Sequence, residues 1–422
     1  MFERPGTFNF PQAVAACMLR AIMSNRFSNL SLVALLVLSL PFGAAARQPV
    51  VITMRSLPPV ALPAFMRTFS FVSEGAGDIS VTGITFDPAD PDDEDAYGMA
   101  TLRFNFAGRR LWLAPFDGHG LEDAVGAPAL DAQGNVYVTG FSEFQTNAFE
   151  AVTLNYSKTG QPVWTNRFGA DPSFTTGLTL AADGQGNAAV IVRTFTNNIL
   201  AKLDKHGVLA WQVNLGMPGG HVGFLRYVAA FDHSGNILVS GPAESGTVLS
   251  NTVARTTKFN RQGVPQWTKT YDNGLDSAPS LITTDQRGNV FVALTTEIPN
   301  GIITSPEWAV VSYGPDGRHH WTGLIDDVSR GDEPTALTAD ARGSVYVAGV
   351  SNTGAVRAAK FRKDGRLRWD KLKLTPIQAN SSLRFGRISP RQVTLYQDGV
   401  QTGVATPEPV WSRIQLRFIQ GD

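Results

Sequence analysis

A two-part pattern recurs along the chain, and it restricts the fold more than any other feature of the sequence. The first part is an Asp, two residues, then Gly-Asn and an alternating apolar run, with Ser in place of Asn in the last copy. It begins at Asp131, Asp183, Asp232, Asp285 and Asp340, with a weaker copy at Glu74. Self-similarity at such a fixed period is typical of repeat architectures.

The second part, a Gly, three residues and a Trp, follows each copy of the first. With 8 Trp and 41 Gly in 422 residues, about one such pair would arise by chance, whereas six are present. The pairs are Gly108/Trp112, Gly160/Trp164, Gly207/Trp211, Gly263/Trp267, Gly317/Trp321 and Gly365/Trp369. A degraded seventh copy is indicated by Ile388–Tyr396 and by Pro409-Val-Trp411.

Each repeat predicts four short antiparallel strands, joined first by the Asp-x-x-Gly-Asn turn, whose Asp accepts hydrogen bonds from turn amides. In the fifth repeat the strands are expected at 280–284, 289–295, 308–313 and 320–324. Four-stranded units of this length, arranged radially, make the blades of a β-propeller. We therefore predict an all-β fold, a single propeller of seven blades, with six clear repeats and one degraded.

The tryptophans of the repeat are predicted to lie on outer strands and to pack against the next blade. They are Trp112, Trp164, Trp211, Trp267, Trp321, Trp369 and Trp411; only Trp308 stands outside the series. Closure of the ring is expected from pairing of Phe65–Phe71 with Ile414–Phe418.

The N-terminal region is predicted to direct export. Leu30–Leu40 is an apolar run of signal-peptide length that follows Arg26, and Ala44-Ala45-Ala46 supplies a small-residue cleavage site. Residues 1–46 are thus expected to be removed, with Met23 an alternative start, 47–66 a linker and 67–422 the propeller. The mature protein is expected to be a monomer in the periplasm or outside the cell, without membrane insertion.

Charge and motifs exclude several functions. The chain has 36 basic and 36 acidic residues and no basic stripe, so no nucleic-acid partner is expected. The only cysteine, Cys17, precedes the predicted cleavage site, which removes thiolate chemistry from the mature chain. The sequence has no Gly-x-Ser-x-Gly elbow, His-Glu-x-x-His helix or phosphate-binding Gly-rich loop, and no cofactor is expected.

Two families resemble the repeat. Asp131–Gly140 looks like the seven-bladed propeller repeat of bacterial exported proteins, and Ala201–Trp211 resembles the tryptophan-docking repeat of pyrroloquinoline-quinone-type propellers. The resemblance covers roughly 67–418 and implies the fold. It implies little about function, because both families include enzymes and binding scaffolds. A quinone-dependent dehydrogenase would be expected to carry an adjacent cysteine pair, which is absent.

One face of the predicted propeller is the better candidate for function. Tight turns would place His206, His233, His319 and His320 on one face, and the longer connections would lie on the other, where binding usually resides. The side chains that this face would gather are His119, Glu122, Asp123, His221, Asp276, Asp332 and Glu333. Calcium near Asp123, Asp276 and Asp332 is one interpretation, and a solvated acidic rim or caps for loop amides is the other. The acidic run Asp87–Asp95 lacks the spacing of a calcium loop.

Three functions fit the sequence. The first is a non-enzymatic module that binds a protein, peptide or glycan through the long-loop face. The second is an enzyme, a hydrolase, lyase or quinone-linked oxidoreductase, with His119, His221 and nearby carboxylates at the channel mouth. The third is a passive scaffold within an envelope assembly.

Overall fold

The repeats fold into antiparallel hairpins, because each apolar run ends at a turn whose Asp and Gly residues suit a tight reversal of the chain. The computed structural model places them in one compact unit, Val50–Asp422. It describes residues 52–418 except 57–59, 62, 64–65, 74–76, 87–96, 119–122, 146–147, 170–173, 217–225, 245–250, 301–302, 326–332, 351–354, 375–376, 379–382, 390–391 and 402–408. The predicted signal peptide and the run Asp87–Asp95 lie outside the described residues.

The described residues form 30 strands. The first half of the chain contributes β1 (Ile52–Ser56), β2 (Val60–Ala61), β3 (Met66–Ser73), β4 (Ile79–Thr85), β5 (Gly98–Phe104), β6 (Arg110–Phe116), β7 (Asp123–Leu130), β8 (Val136–Gln145), β9 (Ala148–Tyr156), β10 (Pro162–Phe168), β11 (Thr175–Ala182), β12 (Ala188–Thr194), β13 (Asn198–Leu203) and β14 (Leu209–Gly216). The second half contributes β15 (Val228–Phe231), β16 (Ile237–Glu244), β17 (Thr252–Phe259), β18 (Pro265–Tyr271), β19 (Ser277–Thr284), β20 (Val290–Asn300), β21 (Ile303–Tyr313), β22 (His319–Ile325), β23 (Glu333–Ala339), β24 (Val345–Val350), β25 (Ala355–Phe361), β26 (Leu367–Leu374), β27 (Ile377–Gln378), β28 (Leu383–Ser389), β29 (Gln392–Gln401) and β30 (Pro409–Phe418).

Six of the seven sheets each contain four strands that are consecutive in the chain. They are blade 1 (β3–β6), blade 2 (β7–β10), blade 3 (β11–β14), blade 4 (β15–β18), blade 5 (β19–β22) and blade 6 (β23–β26). The first strand of each blade lies against the first strand of the next, and β28 of the last sheet lies against β3. The molecule is therefore a closed seven-bladed propeller, as the repeat predicts.

The last sheet, blade 7, is built from both ends of the chain. Its strands run β28, β29, β30 and then β1, with the short β27 and β2 pairing at the side. β1 pairs antiparallel with β30, from Ile52 opposite Phe418 to Ser56 opposite Ile414. The expected closure by 65–71 is thus wrong, because Met66–Ser73 pairs with β4 inside blade 1. Residues 47–66, expected to be a linker, contain the two strands that pair with β30.

The hydrophobic core is divided among the seams between neighbouring blades. The described residues form seven apolar clusters, one for each seam. The seam that closes the ring packs Tyr396 of blade 7 against Phe71, Ile79 and Leu102 of blade 1. The second strand of a blade is covered on both faces, so β12 is almost wholly buried, whereas the outermost β14 alternates between exposed and half-buried residues.

Inner strands also bridge the closure. Arg384, on β28, donates from Nη1 to the Thr335 carbonyl of blade 6 at 2.6 Å and lies 5.6 Å above the Phe71 ring of blade 1. Ser73 Oγ donates to the Phe385 carbonyl at 2.6 Å. Blade 7 is therefore fixed to both neighbours at the central channel. No helix among the described residues has the length and hydropathy of a membrane span.

Candidate functional site

The short turns between the first two strands of blades 2 to 6 are held by hydrogen bonds within each turn. Asp131 Oδ1 accepts hydrogen bonds from the amides of Gln133 and Asn135, both at 2.9 Å, and its Oδ2 accepts one from Asn135 Nδ2 at 2.7 Å. Asp183, Asp232, Asp285 and Asp340 accept the same pair of amide bonds. The turn between strands three and four lies at the same end, where the Lys158 amide donates to Asn135 Oδ1. We call this end the short-turn face.

Tryptophans connect neighbouring blades at the short-turn face. Trp164, on β10, donates from Nε1 to the Lys205 carbonyl of blade 3 at 3.1 Å, and its ring lies on Gly207. A Cβ at Gly207 would be 2.6 Å from the ring, and the residue has φ +78°, so only glycine fits there. The same bond is made by Trp112, Trp211, Trp267 and Trp321 to the carbonyls of Lys158, Arg261, Pro315 and Lys363.

The last two tryptophans of the series differ from these five. Trp369 lies on the outer strand β26 but is only 7 % exposed, within the seam core between blades 6 and 7. Trp411 lies on β30, opposite Asp398 of β29 and Val60 of β2, so it is on a third strand and not on the predicted outer one. The outer strand of blade 7 is β1, which comes from the other end of the chain. This blade therefore lacks the turn between strands three and four on which the other tryptophans dock.

The histidines on the short-turn face are exposed turn residues, as expected. His206 and His233 lie within turns, and His319 and His320 begin β22; all four side chains are exposed. His319 Nε2 shares a hydrogen bond of 3.0 Å with Thr322 Oγ1. Nothing in this arrangement assembles a catalytic group.

The side chains of five of the seven residues predicted on the long-loop face lie outside the described part of the structure. His119, Glu122, His221 and Asp332 lie outside the described residues, and only the backbone of Asp123, the first residue of β7, is described. The enzyme and calcium interpretations that depend on them stay predictions. Within the described parts of the chain, no group of three or more His, Cys, Asp or Glu residues could hold a metal ion.

The two remaining predicted residues have partners in the structure. Asp276 Oδ1 accepts a hydrogen bond from the Thr252 amide at 2.7 Å, and its carbonyl accepts one from Glu297 at 2.9 Å. This carboxylate therefore caps the amide at the start of β17. Glu333, at the start of β23, forms a 2.8 Å ion pair with Arg226, which precedes β15. The pair joins blade 6 to blade 4 past blade 5, at the mouth of the channel.

On the long-loop face, blade 3 is lower than its two neighbouring blades. β12 has 7 residues and β13 has 6, whereas β8 and β9 of blade 2 have 10 and 9, and β16 and β17 of blade 4 have 8 each. At about 3.4 Å per residue, β8 extends roughly 10 Å farther from its turn than β12. The hairpin of blade 3 is closed tightly by a 2.8 Å hydrogen bond from the Thr194 amide to the Asn197 carbonyl. Blade 3 thus forms the floor of a recess.

A series of aromatic rings lies at the edge of this recess. Phe141 and Phe149 of blade 2 meet edge to face at 5.2 Å, Phe149 meets Phe174 at 6.0 Å, and Phe174 meets Phe195 at 5.7 Å. We call these four residues the aromatic ladder; it crosses from blade 2 to blade 3. Its last ring, Phe195, is 65 % exposed, the largest exposure among the large apolar side chains of the described residues.

The aromatic ladder departs from the repeat. The position of Phe141 is occupied by Arg193, Pro242, Thr295 and Val350 in the following four blades. Residues shared by all blades are explained by blade packing. Among the described residues this series of rings occurs at one seam, so it calls for another explanation. Sequence reasoning missed these phenylalanines because they are far apart in the chain. The available signal was the aromatic residue at a repeat position that is not aromatic elsewhere.

Comparisons with known proteins leave the function open to proposal. No protein-family model matches the chain, and no curated protein matches it. Solved structures similar to it include the polysaccharide lyase Uly1, with 10% identity, 82% of this chain and 90% of that chain covered, and TM-score 0.47. A protein of unknown function from Bacteroides caccae has 13% identity, 65% and 90% coverage, and TM-score 0.40. A luciferin-regenerating enzyme has 9% identity, 88% and 98% coverage, and TM-score 0.40. Likeness at this level transfers no activity.

Proposed function

We propose that the protein is an exported, non-enzymatic binding module that holds a glycan in the recess above blade 3. The observation that supports this proposal is the aromatic ladder, which breaks the repeat and leaves the ring of Phe195 open to solvent. Exported location is proposed from the apolar run Leu30–Leu40 and the alanines that follow it. The resemblance to exported propeller repeats agrees with this proposal.

A sugar suits this surface better than a peptide strand or a large protein. Sugar rings present flat C–H faces, which pack on aromatic rings. A peptide could bind by strand addition only at an unpaired sheet edge, but both β12 and β13 are paired on each side. The rings of the ladder pack on one another and a hydrogen bond closes the short hairpin, so little conformational freedom should be lost when a ligand binds.

Phe195→Ala tests this proposal. Neutral and acidic oligosaccharides are screened for binding to the purified protein, and the affinity of each ligand found is measured by calorimetry. Loss of a central aromatic contact is expected to weaken binding about tenfold or more. Val208→Ala is the matched control, because Val208 belongs to the same blade, is 61 % exposed and lies in a short turn.

Two outcomes would overturn the proposal. If both variants bind as the wild type does, the aromatic ladder is not the binding surface. If bound oligosaccharides are shortened or chemically altered during incubation, the protein is an enzyme, and the prediction that involves His119 and His221 takes precedence.

A further inference from the structure

Tyr227 lies in the seam between blades 3 and 4, beside the same recess. It directly precedes β15 and is 8 % exposed, packed in a cluster with Ile191 and Leu200 of blade 3. Its ring lies against Gly241, where a Cβ would be 2.2 Å from the ring. The glycine therefore makes room for the tyrosine. No described residue makes a hydrogen bond to the Tyr227 hydroxyl.

Two arginines from different blades flank this tyrosine. Arg255 is the cross-strand partner of Gly241, so its side chain leaves the sheet on the side where Tyr227 lies. Arg193 lies two residues beyond Ile191 on β12, on the strand face that packs against Tyr227. Arg193 Nε donates to Asn198 Oδ1 at 3.4 Å, and Asn198 in turn donates to the Gly216 carbonyl at 3.3 Å.

The electrostatics of this cluster favour an anion. Burial lowers the pKa of Arg193, and the nearby Tyr227 opposes that change only in part. Burial also raises the pKa of Tyr227, although Arg255 and Arg193 act to lower it. The phenol thus stays protonated as a hydrogen-bond donor between two cations. A carboxylate or sulfate placed there would receive charge-assisted hydrogen bonds, which are stronger than those between neutral groups.

We propose that Arg193, Tyr227 and Arg255 bind the carboxylate or sulfate group of an acidic polysaccharide, with an adjoining sugar ring on Phe195. This inference rests on the proposed glycan-binding function and names its substrate class. Phe195 follows Arg193 by two residues, a separation of roughly 7 Å along the chain, comparable with the length of one sugar residue. A chain of acidic sugars offers an apolar face and an anion at that spacing.

The test compares ligands that differ only in charge. Binding of the protein to oligogalacturonate, to its neutral methyl ester, to dextran sulfate and to dextran is measured by calorimetry at one salt concentration. The two charged ligands identify whether a carboxylate or a sulfate is preferred. We expect a charged ligand to bind at least tenfold more tightly than its neutral counterpart, because only the charged ligand forms charge-assisted hydrogen bonds with the arginines.

Three variants locate the site. Arg193→Gln/Arg255→Gln is expected to weaken binding of the charged ligand about 30-fold or more, and Tyr227→Phe about fivefold, because it removes one hydrogen bond and keeps the ring. Arg318→Gln/Arg342→Gln is the control, since both arginines are exposed in short turns and their loss changes the net charge equally. Thermal unfolding of each variant reports whether it is folded.

The outcomes separate this inference from the proposed function. If Phe195→Ala weakens binding but the arginine variant and the control bind equally well, the glycan site stands and the anion site is wrong. Equal binding of charged and neutral ligands would have the same meaning. Polyglutamate is measured alongside these ligands, and tighter binding of polyglutamate than of every acidic polysaccharide would overturn the ligand class and indicate an acidic peptide.

Discussion

At the scale of single residues, the seams bury phenol groups as well as apolar side chains. Tyr156 contributes to the seam between blades 1 and 2, and Tyr313 to the seam between blades 4 and 5; each is 4 % exposed. Burial raises the pKa of each tyrosine to about 12, with Tyr271 adding to the effect on Tyr313. The folded state therefore holds these protons more tightly than the unfolded chain does.

This difference predicts loss of stability in alkali. In the unfolded chain these phenols ionise near pH 10. Their contribution is thus complete below pH 10 and is lost as pH rises towards 12, by about 2–3 kcal/mol for each tyrosine. Urea unfolding at pH 8 and at pH 11 measures about half of this loss, roughly 1.4 kcal/mol for each tyrosine. Tyr156→Phe and Tyr313→Phe should each reduce it, and a variant with the full wild-type loss would contradict the assignment to that residue.

At the scale of strands and turns, side chains from the third and fourth strands of a blade contact the next blade. Near the end of the third strand, Lys202 Nζ donates to the Arg261 carbonyl at 3.1 Å and Lys258 Nζ to the Pro315 carbonyl at 3.2 Å. Lys258 also forms a 2.8 Å buried ion pair with Asp232. From the fourth strand, the docking tryptophans contact the same turns. The turn between the third and fourth strands therefore accepts hydrogen bonds from both the third and the fourth strand of the preceding blade.

Substitution of Trp164 tests this role of the turn. Trp164→Ala removes the ring from Gly207 and from its edge-to-face contact with Tyr137 at 5.8 Å, and we expect a loss of about 3 kcal/mol or more. Trp164→Phe should lower the free energy of unfolding by only about 1 kcal/mol, because it removes the hydrogen bond to the Lys205 carbonyl. Val163→Ala, at a neighbouring side chain that is 54 % exposed, is the control. Urea midpoints that are equal for Trp164→Ala and the control would show that docking adds no stability.

The elements were largely predictable from the sequence, and the unrepeated features were not. Strands β19–β22 differ from the expected segments mainly in length, because the Asp and Gly turns determine where each strand begins. Trp308 had no assigned role, but it is 1 % exposed and lies against Gly349 of the next blade. The aromatic ladder, Tyr227 and its arginines come from separate strands, so only the three-dimensional packing brings them together. Sequence periodicity identifies positions that recur in every repeat, and these residues do not recur.

At the scale of the whole molecule, stability depends on how the ring is closed. The N-terminal β1 completes blade 7, so the last sheet forms only when both ends of the chain meet. This closure could not be predicted from the sequence. Pro409-Val-Trp411 resembles the outer strands of the other repeats, but β30 is the third strand of its sheet. The seam core that joins Tyr396 to Phe71, and the 3.1 Å bond from Tyr396 Oη to the Gly77 carbonyl, support the same closure.

Moving β1 to the other end of the chain tests this closure. Deleting residues up to 58 leaves the Ile414–Phe418 part of β30 as an unpaired edge. We expect the unfolding midpoint to fall by about 5 °C or more, with a tendency to associate through that edge. Ile52 lies opposite Phe418, so a copy of 52–56 attached after Asp422 can return along β30 through a short turn made by 419–422. This transplanted chain should recover most of the lost stability, because its seven blades then follow one another in sequence. Scanning calorimetry of the wild type, the deletion and the transplant measures the effect.

A control transplant with Thr53→Pro and Arg55→Pro cannot pair fully with β30, since proline has no amide hydrogen to donate. If both transplants melt like the deletion, closure depends on the seam cores and not on the pairing of β1 with β30.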